Sequence, residues 1–420
     1  MSYSRTQTQE KRRPRRRRHT RYLVLLNTFF VSLIAVAIMV WYFTDVKVST
    51  RNASDPSPSH AVATPEGSAY PAASPSPPDG SAANPMPKEQ PDSNTPPPAD
   101  NSAEETDTIT LALVGDILPA SSVARLMEKH GYDYPYRESR HILQLADIAA
   151  GNLETSITDR GAPEENKEYV YRGPAQALPA IRDAGFDVLS LANNHTLDYG
   201  WIGLEDTMNA LDDNGLLHMG TGDNETEAYA PVYVEAKGFK VAFIGVSHVV
   251  WKTYWNATKD RPGMAETYDP TRTVAAIAEA KQHADLVVVM VHWGTEYTDQ
   301  PEPYQVKKGR QFIDAGADLV IGSHPHVLQG FEAYKGRWIA YSLGNFVFSG
   351  TKSPQSAETG VLTASCRKNG QCKLQFHPML AQAAQPAPME EEAARALLAR
   401  IAAVSTAVKI EENGNIVEQN

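Results

Sequence analysis

The stretch LVIGSHPHVLQG, Leu319 to Gly330, decides how the rest of the chain is read. Leu319, Val320 and Ile321 form an apolar, β-branched run that fits a strand covered on both faces. Gly322 ends the run. Two histidines follow, His324 and His326, with Pro325 between them. On an extended chain alternate side chains point the same way, so both imidazoles can face one place. Pro325 stiffens the segment. A lone histidine beside an apolar run is most often a satisfied core residue. The pair therefore gains meaning only if other strands end in the same manner.

They do. From Thr108 onward, strand-like and helix-like segments alternate. TITLALVG, ADIAAGNLE, FDVLSLANNH, KVAFIGVSH, DLVVVMVHWG and ADLVIGSHPH read as strands and their exits. SSVARLMEKHG, ALPAIRDAG, WIGLEDTMNALDDNG, TRTVAAIAEAKQHA and VKKGRQFIDAG read as helices. This alternation predicts an α/β layered domain. RWIAYSLGNFVF and the segment around the two cysteines read as antiparallel, and no internal repeat is evident. Asp116 follows Val114-Gly115; Asn152 and Glu154 follow Ile148; Asn193, Asn194 and His195 follow DVLSLA; His292 follows DLVVVMV. With His324 and His326, five strand exits carry ligand-type side chains. In an open α/β sheet that edge is where sites form. Mixed carboxylate, imidazole and amide donors suit a divalent Mn, Fe or Zn ion, one or two in number. Such an ion polarises a phosphoryl or carbonyl oxygen or activates water.

The ends of the chain differ from its body. Residues 1–21 hold nine Lys/Arg and one acid, Glu10; the chain totals are 39 basic and 50 acidic, so residues 22–420 keep 30 and 49, near −19. Between arm and body lies YLVLLNTFFVSLIAVAIMVWYF, Tyr22 to Phe43, which has no formal charge and as a helix spans roughly 31 Å, enough for a bilayer core. The Arg-rich flank predicts a cytoplasmic N-terminus and an extracellular body, with Trp41, Tyr42 and Phe43 at the interface. A cleaved signal peptide is the rival reading, against which the apolar run is long and no small-x-small site closely follows it. Beside a membrane span, the Arg run does not read as a nucleic-acid patch. Residues 51–100 carry 13 of the 29 prolines and predict a disordered or semi-extended tether. The expected organisation is a basic arm (1–21), an anchor (22–44), a linker (45–107), the α/β domain (108–388) and a C-terminal helix and tail (389–420). Cys366 and Cys372 flank RKNGQ. A three-residue hairpin loop, Lys368-Asn369-Gly370 with Gly in the left-handed position, would set the two thiols opposite each other, where an extracellular disulfide is expected.

LALVGDILPA, GNLETSIT, FDVLSLANNHTLDYG, VHWGTEY and GADLVIGSHPHVLQGFEAYKGRWIAYSLGNFVF occur in this order over roughly residues 108–350. In these motifs the chain resembles the CapA family of poly-γ-glutamate capsule biosynthesis proteins. The resemblance implies a calcineurin-like metallophosphoesterase fold, a β-sandwich flanked by helices with its metal site at the strand ends. It implies Asp116, Asn194, His292, His324 and His326 as metal ligands, and His195 as the proton donor to a leaving group. Two positions depart from that superfamily's pattern. Leu118 stands where Asp-x-His would place a histidine. Gly-Asp-x-x-Asp reads Gly151-Asn152-Leu153-Glu154-Thr155, so either Glu154 or Asn152 takes the place of the bridging carboxylate.

Several neighbours have two readings. Glu296 is an acid/base or substrate contact, or a solvated loop charge. Arg172 binds an anionic group, or makes a structural ion pair. Asp198 orients His195, or caps the helix beginning near Trp201. Asn345 lines the site, or serves the turn with Gly344. The expected function is an anchored extracytoplasmic part of capsule or surface-polymer synthesis. Its expected partners are the membrane, an anionic polymer or its precursor, and membrane-bound polymer synthase subunits, with no nucleic acid. A metal-dependent envelope hydrolase and a polymer-binding scaffold with a relic site are the alternatives.

Overall fold

Two sheets organise the described part of the chain, which in this computed structural model is residues 107–348 and 353–419. The basic arm, the Tyr22–Phe43 span and the Pro-rich tether lie outside the described residues. Among the described residues no helix is long and apolar enough to cross a membrane.

In the first sheet four strands run parallel in the order Ile109–Ile117, Ile148–Leu153, Val188–Ser190 and Leu217–Met219. On its other side Ile109–Ile117 pairs antiparallel with Glu358–Cys366, and Cys372–Gln382, Asn415–Glu418 and Val408–Ile410 continue outward. The second sheet has a parallel centre, Arg337–Ala340, Leu319–Ser323, Leu286–His292 and Phe239–Ser247, with Phe331–Tyr334 and Val232–Ala236 as antiparallel edges.

A period of two in the strands fixes how the layers stack. Ile109, Leu111 and Leu113 share one core with Leu286, Val288 and Met290 of the other sheet. The alternate residues Ala112 and Val114 pack with Val123, Met127, Ile181 and Leu211, from helices Ser121–His130, Ala177–Asp183 and Gly200–Asp213. Val287, Val289 and Val291 pack with Ile277 and Phe312, from helices Thr271–Ala280 and Pro303–Ala315. Both faces of the central strands are thus buried, which is why they read as continuous apolar runs. The result is a four-layer sandwich, helices on sheet on sheet on helices, in agreement with the expected layered α/β fold.

One short pattern sets where the parallel strands begin. Asp147, Asp187, Asp285 and Asp318 each precede a strand and accept the first free N–H of the neighbouring strand, from Thr110, Ala149, Lys240 and Val287 respectively, at 2.8–2.9 Å. These carboxylates satisfy backbone donors that the sheet edge would leave unpaired.

Three expectations change. Arg337–Ala340 is antiparallel only to Phe331–Tyr334; it runs parallel to Leu319–Ser323, and Asn345–Val347 runs parallel to Ile109–Ile117. An isolated segment shows a strand but not its partner, so pairing direction was not readable locally. The terminal helix forms at Glu391–Ala403, but the residues after it are two strands of the first sheet and not a tail. Leu397, Leu398 and Ile401 bury into the inter-sheet core. Finally, His324 and His326 are not on an extended segment. Both have positive φ, 97° and 57°, so they turn toward the site through left-handed backbone, a costly choice away from glycine.

Gly322 before them is required by space. A Cβ there would lie 2.0 Å from the Tyr341 carbonyl oxygen and 2.4 Å from Trp293 Nε1. The hairpin Glu358–Cys366/Cys372–Gln382 pairs Cys366 with Cys372, and the two are disulfide-bonded. Gly370 takes a φ of 80° in its turn, as the loop reading requires.

Candidate metal centre

The five strand exits meet, but they come from both sheets. Asp116, Asn152 and the Asn193–His195 segment leave the first sheet, whereas His292, His324 and His326 leave the second. The site therefore bridges the top of the sandwich and is not the edge of a single open sheet.

Asp116 is fully buried at its centre. Its Oδ1 accepts Asn152 Nδ2 at 2.8 Å and its Oδ2 accepts the His324 backbone N–H at 3.2 Å. His326 Nδ1 lies 3.6 Å from Asp116 Oδ2, and His292 Nδ1 3.9 Å from Asp116 Oδ1. Asn194 Oδ1 is 2.9 Å from His292 Nε2. Asn345 pairs with Asp116 across the strands, and its Oδ1 accepts His326 Nδ1 at 2.9 Å. Because an amide oxygen only accepts, the proton sits on Nδ1 and the Nε2 lone pair is left for the site. Asn345 is thus a holder of His326, alongside its bonds to the His326 and Ser356 carbonyls.

Asn152 and Glu154 now separate. The Asn152 amide is used on both sides: Nδ2 on Asp116, with His292 Nδ1 3.3 Å away, and Oδ1 accepting Asn193 Nδ2 at 3.1 Å. Both Glu154 oxygens are buried and accept no hydrogen bond. Burial, reinforced by the nearby Asp116 charge, pushes the Glu154 carboxyl well above the usual carboxylate range. Donor atoms of Glu154, His324 and His326 lie within 4.8 Å of one another, and His324 Nδ1 is also buried without a partner. Leu118, where the resemblance leads one to expect a histidine, is fully buried and offers only its backbone, donating to the Val347 carbonyl at 2.7 Å.

His195 stands beside this cluster. Its Nδ1 is 2.7 Å from Asp198 Oδ2, and its ring packs on Tyr171 with centroids 4.4 Å apart. Asp198 also accepts the Tyr171 N–H at 2.7 Å. It orients His195 and does not cap the next helix, whose N-cap is Tyr199 with no side-chain cap bond.

Sequence reading missed Lys167. Its side chain is 5% exposed; its Nζ donates to Asp198 Oδ1 and to the Asn194 carbonyl, and it lies 3.1 Å from His195 Nδ1 and 5.2 Å from the Trp255 ring centroid. No local pattern in ENKEYVYRGP marks this residue. Only the need of a buried carboxylate for a counter-charge points to it.

Two other expected residues stand apart. Arg172 stacks on Tyr199 at 3.8 Å and donates to the Arg160 and Gly161 carbonyls at 3.4 Å; among the described residues it makes neither the ion pair nor a contact with the cluster. Glu296 is exposed on the loop after His292; its charge is felt at Glu154, where it adds to the upward push.

Residues 110–350 match the model of the family described as "Bacterial capsule synthesis protein PGA_cap". The chain belongs to that family. The capsule biosynthesis protein CapA of Bacillus anthracis is 35% identical over 294 residues, covering 68% of this chain and 70% of that protein. The PGA biosynthesis protein CapA of Bacillus subtilis strain 168 is 34% identical over 288 residues, covering 68% and 75%. A probable polyglutamine synthesis accessory protein of Mycobacterium tuberculosis is 31% identical over 226 residues, covering 51% and 59%. Every site residue of this PGA_cap member, from Asp116 to Asn345, falls inside the matched region. The disulfide hairpin and the C-terminal strands fall outside it.

The donors of this PGA_cap site suit a divalent metal. Orphaned buried acceptors such as Glu154 Oε1 and Oε2 are costly without a partner, and burial already favours neutral, ligating imidazoles. His292 is held well below its ordinary value by burial and by the neighbouring histidines. His324 is lowered to about 3, mainly by burial.

Proposed function

We propose that this PGA_cap member is a membrane-anchored, extracytoplasmic component of poly-γ-glutamate or related surface-polymer synthesis, with a divalent metal at the sandwich top. The observation that carries the reading is the family match over 110–350, which encloses a buried donor cluster whose Glu154 oxygens and His324 Nδ1 lack hydrogen-bond partners. Glu154, His324 and His326, with Asp116, His292 and Asn194 around them, would hold the ion. The proposed fold type is the calcineurin-like metallophosphoesterase sandwich. The Arg-rich arm and the uncharged Tyr22–Phe43 run support the anchor, and membrane-bound synthase subunits are the proposed partners. Deleting the gene should remove extractable anionic polymer from the cell surface; an unchanged polymer yield contradicts the reading.

One arrangement favours hydrolysis as the activity. The Lys167–Asp198–His195 group fixes an imidazole next to the donor cluster. A bound divalent ion supplies Lewis acidity toward a phosphoryl or carbonyl oxygen. The chain's own part is clearer: Asp198 fixes the His195 ring through Nδ1, Asn345 fixes His326, and the Tyr171 ring shields His195 from water. His195 Nε2 is then the atom available to exchange a proton with substrate. The purified full chain, loaded with Mn²⁺ or Zn²⁺, should cleave a phosphoester or γ-glutamyl amide and lose that activity in His195→Ala. Absence of turnover in metal-loaded protein would leave the polymer-binding scaffold as the function.

A further inference from the structure

A cavity of about 410 Å³ lies where edge strands of the two sheets come together. Helix Gly200–Asp213 forms one wall. Strand Leu217–Met219, the turn at Asp223 and strand Val232–Ala236 form the others. None of its lining residues belongs to the donor cluster of the metal centre.

The lining is acidic and lacks a matching cation. Glu205 and Asp212 stand about two turns apart on the helix, roughly 10 Å. Asp223 and Glu227 add two carboxylates from the following turn and helix. No lysine or arginine lines the cavity. Asp212 Oδ1 is 3.5 Å from His218 Nε2, and Glu227 accepts the uncharged Asp223 N–H and Asn224 Nδ2, both at 2.9 Å. Arg160 lies 3.6 Å from Glu205, but Asp206 holds its guanidinium at 3.0 Å. Arg272 is paired with Glu225, outside the lining, at 2.7 Å.

Buried acceptors give a second, independent sign. Thr221 is 5% exposed and lines the cavity, and its Oγ1 has no hydrogen-bond partner. A buried hydroxyl left in that state is costly. His218 Nδ1 is also buried and unpartnered. With Nε2–H directed at Asp212, Nδ1 carries the lone pair. An orphaned hydroxyl and imidazole beside uncompensated carboxylates call for a ligand that donates hydrogen bonds and carries positive charge.

We infer that this cavity binds a linear alkyl polyamine. An ammonium group offers three donors and no acceptor, which matches a lining of carboxylates, an imidazole lone pair and a hydroxyl. Met208, Met219 and Val232 lie among the charges and suit the methylene chain between two ammonium groups. A bare metal ion fits less well. Among the described residues only Glu154, His324 and His326 bring three donors within 4.8 Å of one another. The acidic body, near −19, draws cations from solution, and the cavity gives a polyamine a fixed place.

Isothermal titration calorimetry of the full chain in detergent micelles, with spermidine as the probe, tests this. A single saturable site per chain is expected. The Asp212→Asn, Asp223→Asn double variant should weaken it at least about tenfold. Thr221→Val, which removes the hydroxyl and keeps the shape, should weaken it about threefold or more. Glu412→Gln, in the turn at the opposite edge of the first sheet, should leave affinity unchanged, and Mg²⁺ at matched ionic strength should compete poorly. Absence of a saturable site overturns the proposal, as does equal weakening in Glu412→Gln and the double variant. Unaltered affinity in folded Thr221→Val overturns it as well. So does full displacement by Mg²⁺, the behaviour of a diffuse counterion atmosphere.

Discussion

Replacing Glu154 with glutamine should move stability and metal affinity in opposite directions. In the metal-free protein both Glu154 oxygens are buried and accept no hydrogen bond, and Asp116 is close enough to push the carboxyl further up. A buried polar group without a partner costs about 1–3 kcal/mol. Glu154→Gln removes the ionisable group at nearly constant volume. The new amide can also donate toward Asp116. The metal-free variant should therefore gain about 1–3 kcal/mol, or about 2–4 °C in Tm for each kcal/mol in a domain of this size. The same change removes a charged donor, so affinity for Mn²⁺ or Zn²⁺ should fall at least about tenfold, about 1.4 kcal/mol. Thermal melts of EDTA-treated and metal-titrated protein read both effects, because an ion that binds only the folded state raises Tm by an amount that grows with the logarithm of its affinity. A metal-free variant that is less stable than the parent, with an undiminished metal-induced rise in Tm, would refute the reasoning.

Further outcomes follow from the same geometry. Lys167→Met leaves the buried Asp198 without its counter-charge and should cost about 3–5 kcal/mol, with part recovered by adding Asp198→Asn; a loss under about 1 kcal/mol in chemical unfolding would contradict it. His292, His324 and His195 are all lowered chiefly by burial. A depressed folded value means stability that is full above the ordinary 6.5 and lost as pH falls toward about 3 for His324. Metal-free protein should thus lose up to about 1.4 kcal/mol per pH unit for each histidine in that window, and a Tm flat from pH 7 to 4 would count against it. Gly322→Ala puts a Cβ 2.0 Å from the Tyr341 oxygen and should cost at least about 1–3 kcal/mol, read by unfolding midpoints. Removing the Cys366–Cys372 bridge, whose sequence separation is 6, should cost only about 2 kcal/mol because the loop is short.

The sequence made the strands and the site legible for different reasons. Apolar runs such as DLVVVMV show themselves because both faces of those strands are buried, and ligand-type residues at their exits mark one edge. What could not be read is anything set by partners distant in the chain. Asp116 and His292 are neighbours only because two sheets stack, so one exit edge became a bridge between sheets. Lys167 lies in an irregular loop and owes its role to a carboxylate 31 residues away. Arg172 had the right chemistry for an anion, yet the Tyr199 ring holds it aside. What distinguishes Asn152 from Glu154 is that Asn152 donates to Asp116 and accepts from Asn193, which no spacing encodes.

Whether Glu154, His324 and His326 hold a metal ion decides the proposed function. Elemental analysis of the purified full chain, paired with a metal-edge anomalous diffraction map, tests it most directly. At least one transition-metal ion per chain is expected, with its anomalous peak among these three side chains, and its loss in His326→Ala. Folded protein that takes up no metal above background, or a peak remote from these residues, would contradict it.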